Sequence, residues 1–176
     1  MKRPDRMQVI RYIVYTLAVF LLFFIGDTPF LVPRLWDAAP ALMLSAAVGI
    51  ALSGEKEIPA MAFGVLCGLL MDFSRSGPYG FHAVILAVLC YFAALLVRVL
   101  FQKNLLSALL MTVVTVAVVF TLQWIFFYLI HGYGSPLYAL TRHYGPMALY
   151  TLAATVPVYF FFRLLAWIFR SERQSA

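Results

Sequence analysis

Six long apolar runs, at roughly 9–26, 38–53, 58–73, 79–101, 105–130 and 146–169, take up most of the chain and leave only short connections between them. In lipid every backbone N–H and C=O must find a partner inside the protein. Runs this long and this uniformly apolar cannot alternate as barrel strands, so helices are the structure that remains. The expected fold class is therefore all-α, a polytopic membrane protein of about six transmembrane helices.

Composition bears this out. Of 176 residues, 64% are hydrophobic and 11% are charged, against about 25% charged in a soluble domain. So few charges cannot cover a water-facing surface. Six spans of about 20 residues use nearly the whole length, giving one transmembrane domain over 1–170 and a short tail over 171–176. The net charge of +6 does not point to nucleic acid, because the basic residues lie in loops and tails rather than on one amphipathic face. The basic start, Met1 to Arg11, precedes an apolar run that ends at Gly26, Asp27, Thr28 and Pro29 with no small-residue cleavage site. It reads as a retained first helix rather than a signal peptide.

The basic residues also set the orientation. With the amino terminus inside, the inner segments carry Lys2, Arg3, Arg6, Arg11, Lys56, Arg98, Lys103, Arg163, Arg170 and Arg173, and the outer ones only Arg34, Arg75 and Arg142, a ten-to-three bias. Cytoplasmic loops collect Lys and Arg, so the count predicts both termini on the cytoplasmic side. Arg98 and Arg163 lie near helix ends, where they can snorkel to headgroups.

The second and third runs are short, about 24 Å at about 1.5 Å per residue, and are expected to pair as a hairpin. Between them Gly54 suits a helix stop, while Glu55, Glu57 and Pro59 suit the first turn of the next helix. Small residues recur every four positions on both: Ala41, Ser45, Gly49 and Ser53, then Ala60, Gly64 and Gly68. Such stripes let backbones approach closely, either within this chain or around a partner's helix. Asp72 continues the second stripe at the outer end of the third helix, next to the negative end of that helix's dipole, and needs compensation. Arg75 and the free N–H groups opening the fourth helix near Tyr79 and Gly80 are the two candidates. A carboxylate at the membrane edge can also serve as a partner or ion site.

Other chemistry is thin. Cys67 and Cys90 each sit inside an apolar run without metal-ligand spacing. His82, His131 and His143 all fall toward the outer side in this topology, where with Asp72 they offer metal-ligating side chains, but they lie on separate segments with no local ligand pattern, which favours ordinary interfacial histidines over zinc. Pro157 is expected to kink the sixth helix. No Ser/His/Asp set, phosphate loop, paired carboxylates or H-E-x-x-H motif is present, so the chain reads as a non-enzyme without a cofactor. Gln123 and scattered threonines give an ion path little support.

The segment from Cys67 to Ala83, CGLLMDFSRSGPYGFHA, strongly resembles the MreD family of rod shape-determining proteins. That family's pattern is a G-L-L-x-D helix end, a short Gly/Ser turn, a glycine eight residues after the acid, an alanine and, in the next helix, a tyrosine. Gly68, Asp72, Gly80, Ala83 and Tyr91 fill those positions here. Pro40 before the second span also matches, whereas Ala41 stands where many members carry a polar or acidic residue.

The resemblance implies a non-enzymatic component of the bacterial elongation machinery in the cytoplasmic membrane. It would bind MreC and, with the MreB filament, RodA and a penicillin-binding transpeptidase, couple filaments to wall synthesis. It also implies a fold similar to the S-components of energy-coupling factor transporters, often as a homodimer. Gly64, Gly68, Asp72, Arg75, Gly80, Ala83 and Tyr91 are the candidate partner-binding or structural residues. The competing expectation is a vitamin-binding S-component, but its A-x-x-x-A contact motif finds only Ala18 in the first helix.

Overall fold

The computed structural model describes residues 6–28, 40–53, 56–74, 80–99, 105–126 and 145–172, and all regular secondary structure among them is helical. The helices are α1 (Arg6–Asp27), α2 (Leu42–Leu52), α3 (Glu57–Ser74), α4 (Phe81–Val99), α5 (Leu105–Trp124) and α6 (Gly145–Glu172). Each matches one apolar run. Four of them, α1, α3, α5 and α6 up to Phe169, are long and apolar enough to cross a bilayer, while α2 and the apolar stretch Phe81–Val97 of α4 are shorter. The chain is thus a multi-pass helical membrane protein. Gly54, Glu55, Arg75, His131 and His143, and the connection from Gly132 to Tyr144, lie outside the described residues.

α2 is the axis of the bundle. All 11 of its residues are buried, and it packs against α1, α3, α4, α5 and α6 alike. At about 1.5 Å per residue it is only about 16 Å long, roughly half the hydrocarbon thickness, so its neighbours must shield it. Its composition suits that position: with five helices around it, bulk on any face would push one away, and Ser45, Ala46, Ala47, Gly49 and Ala51 keep the cylinder thin. A Cβ on Gly49 would already come within 3.1 Å of the Phe162 ring.

The ring around α2 runs α1, α3, α4, α5, α6. Tyr15 closes it. Its ring meets Phe63 of α3 and Phe162 of α6 edge to face, each with centroids 5.9 Å apart, an arrangement favoured by the ring quadrupoles. Polar side chains join α2 to α6. Ser45 Oγ lies 2.9 Å from Thr155 Oγ1, and the Ala41 N–H donates to Thr151 Oγ1 at 3.0 Å. The Thr151 and Thr155 hydroxyls also donate back to the Met147 and Thr151 carbonyls, so these buried groups are satisfied without water. Pro157 lies inside α6, which continues through it.

α2 ends before Gly54 and α3 begins after Glu55. The Ser53 hydroxyl and N–H both donate to the Gly49 carbonyl and so close α2, while Lys56 offers its carbonyl to the Ala60 N–H, with Glu57 as the acid of the first turn of α3.

Candidate functional site

Among the described helices the most extensive contact is the antiparallel pair α3 and α4, and its closeness depends on two glycines. A Cβ on Gly64 would sit 2.6 Å from the Leu86 carbonyl oxygen, and one on Gly68 would sit 2.4 Å from the Cα of Ala83. Backbone cannot give way as a side chain can. The face that carries Gly64 and Gly68 is therefore filled by α4 and is not an open groove for another polypeptide. Ala83, buried at the contact, is the small residue that lets the α4 backbone come so near.

Asp72, 2% exposed, closes the end of this pair where α3 stops and α4 starts. Its Oδ2 accepts from the N–H of Gly80 at 2.9 Å and of Ala83 at 3.4 Å, and its Oδ1 from the N–H of His82 at 3.2 Å. The Gly80 carbonyl accepts the Val84 N–H, so Gly80 is the N-cap residue of α4 and His82 and Ala83 are its second and third positions. An aspartate at the cap position would offer its own carboxylate to these groups. Gly80 has no side chain, and α3 supplies the carboxylate instead. The cap is thus a tertiary contact that locks the start of α4 onto the end of α3.

The electrostatics agree. Asp72 stands near the unfavourable negative end of the α3 dipole but directly against the positive end of α4, and the second interaction is the closer one. Of the two sequence-level candidates for compensation, the free N–H groups of α4 are in place, whereas Arg75 falls outside the described residues. Gly80 adopts φ +95° with no atom within 4 Å of a Cβ. Its requirement is conformational rather than spatial, since L side chains resist that region.

Sequence reasoning named His82 but missed its direct contact with Asp72. Its Nδ1 lies 2.5 Å from Asp72 Oδ1, within hydrogen-bond distance, and both oxygens of Asp72 are engaged within the chain. The signal was present as a histidine two positions into a helix whose cap residue is glycine. His82 Nε2 is buried without a hydrogen-bond partner among the described residues. A second contact at this end, Ser74 Oγ donating to Asp27 Oδ1 at 2.7 Å, ties α3 to α1. Among the described residues no three His, Cys, Asp or Glu side chains gather as a metal set. Tyr91, the last of the candidate residues, is set apart: it is 37% exposed on the outer face of α4, away from the capped turn.

Gly64, Gly68, Asp72, Gly80 and Ala83 thus form one device, a close-packed hairpin sealed by a carboxylate cap. The family model described as "rod shape-determining protein MreD" matches residues 7–168, which include all six helices over nearly their full length. The chain belongs to the MreD family. Membership assigns this membrane protein a role in determining rod shape, within a family not known for enzymes. No curated protein and no solved structure matches the chain, and the likeness to the S-component fold rests on the family resemblance alone.

Proposed function

We propose that this MreD protein is a non-enzymatic scaffold in the bacterial cytoplasmic membrane, with both termini cytoplasmic, that binds MreC. Through MreC it takes part, with MreB filaments, RodA and a penicillin-binding transpeptidase, in coupling the filaments to peptidoglycan synthesis. A second copy of the chain is its other partner. The observation that carries the reading is the family match over 7–168, nearly the whole chain.

The capped hairpin fits a scaffold on physical grounds. A protein that works by gripping others in lipid, where water exclusion between helices gives no help, depends on the shape of its surface. Asp72, Gly80, Gly64 and Gly68 hold α3 and α4 in a single arrangement and so fix the outward faces of both. We assign these residues the role of keeping that shape, with contact to MreC made by the faces they support.

The test is co-purification from detergent-solubilised membranes with MreC quantified by mass measurement. Wild-type protein is expected to bring MreC in stoichiometric amounts. Gly64→Leu and Gly68→Leu, which force the hairpin open, are expected to insert but to lose it. Absence of MreC from a well-folded wild-type preparation would contradict the proposal.

A further inference from the structure

Tyr91 is a polar group in an apolar setting, and among the described residues its hydroxyl has no hydrogen-bond partner. It lies ten residues past Phe81 and eight before Val99, about 15 Å and about 12 Å along the helix at about 1.5 Å per residue. Neither end of α4 is within reach of its ring. At this depth it stands close to the level of Gly64, near the middle of α3, because Gly64 meets Leu86 and Cys90 across the hairpin. Its only described partner is the ring of Phe92, centroid to centroid 5.8 Å, and its hydroxyl makes no hydrogen bond among the described residues. A tyrosine at the headgroup level has its tip in water. This one would hold a hydroxyl in hydrocarbon, where an unpaired donor and acceptor are costly.

The surroundings of Tyr91 form a seam. The exposed residues Val84, Val88, Tyr91 and Leu95 follow one another at intervals of four, three and four, the alternation of a heptad seam, in which successive side chains enter holes on a facing helix. The opposite side of α4, with Leu86, Cys90, Ala93 and Val97, is buried in the bundle. The seam is therefore an ordered stripe on the side of α4 turned away from the bundle.

From this geometry we infer that the seam is the contact between two copies of the chain, with Tyr91 of one copy hydrogen-bonded to Tyr91 of the other. Two copies inserted in the same orientation can be related by a two-fold axis only along the membrane normal. Such an axis pairs every residue with its own counterpart at the same depth, as in any isologous interface. A hydroxyl is self-complementary, being both donor and acceptor, so the symmetric pair satisfies the group that one copy leaves bare. A foreign helix would need an acceptor placed at that depth by coincidence. The inference rests on the self-association proposed above and gives it a surface.

Oxidative cross-linking in native membranes tests it, with Val84→Cys, Val88→Cys and Leu95→Cys in the seam. Leu17→Cys on α1 and Leu110→Cys on α5, also exposed, serve as controls. The unsubstituted chain, whose Cys67 and Cys90 are buried, gives the background. Symmetric dimers are expected from the seam positions alone. Counting of subunits by single-molecule photobleaching in bilayers is expected to show dimers, weakened about threefold by Tyr91→Phe, the effect of one interhelical hydrogen bond in lipid. Dimers by photobleaching with cross-links only at Leu17→Cys or Leu110→Cys would overturn the seam and leave self-association standing. Monomers alone would overturn both. Cross-linking of the seam to MreC in place of a second copy would overturn the inference while supporting the MreC reading, and unchanged dimerisation of Tyr91→Phe would remove the hydroxyl from the account.

Discussion

At the scale of single residues, Asp72 gathers three backbone N–H groups and one imidazole. Replacing it with alanine leaves those buried donors bare, and is expected to cost at least about 2 kcal/mol, read as a lower midpoint in thermal unfolding of the detergent-solubilised protein. Asp72→Asn, which keeps an acceptor oxygen but loses the charge, is expected to fall between the two. Gly80→Ala tests a different cause. Space is open there, so the cost is the positive φ alone, about 1–2 kcal/mol, and it should be smaller than that of Gly68→Ala, whose Cβ meets backbone at 2.4 Å. The reverse order in unfolding midpoints would show that α3 and α4 can separate without penalty. The acid and its place on the hairpin face were legible in sequence, because four-residue spacing places Asp72 on the face of Gly64 and Gly68. The imidazole was not, because nothing in local spacing shows that the ring of His82 turns back toward α3.

At the scale of elements, α2 sets the terms for the other five. A sequence run of about 16 residues suggested a short hairpin helix shielded by its neighbours; the shielding proves complete, and α2 itself is 11 residues long. Complete burial could not be read from the sequence, since apolar residues all round a helix in lipid are equally consistent with a helix that faces the bilayer. The α2–α6 seam was hidden for another reason. Ser45 and Thr155 are 110 positions apart, and their hydroxyls look like ordinary spacers when each helix is read by itself. Two substitutions separate packing from polarity here. Ser45→Ala removes one hydroxyl contact and is expected to lower stability by about 0.6 kcal/mol, the average for such bonds in membranes. Ala47→Leu, at a site with no exposed surface, adds bulk between helices and is expected to cost about 1–3 kcal/mol. A larger loss from Ser45→Ala, measured by reversible unfolding in mixed micelles, would mean that hydrogen bonding rather than fit holds α2.

For the molecule as a whole, the number of apolar runs, their order and their approximate ends were all present in the sequence, because hydrocarbon thickness and backbone satisfaction leave a chain so few choices. The charge asymmetry predicts that cysteines introduced into the two tails are both shielded from impermeant reagents in intact cells, and tails labelled on opposite faces would refute the six-span orientation. The central proposal is that the fixed shape of this membrane protein, rather than a reaction, supports its role in rod-shape determination. Depletion of the protein in its native host, followed by imaging of cell length and width, tests this most directly. The account predicts that rods widen and round up, and that wild-type protein restores them while a hairpin-opening Gly68→Leu variant present at equal level in the membrane does not. Cells that stay rod-shaped through complete depletion, or that Gly68→Leu rescues fully, would contradict it.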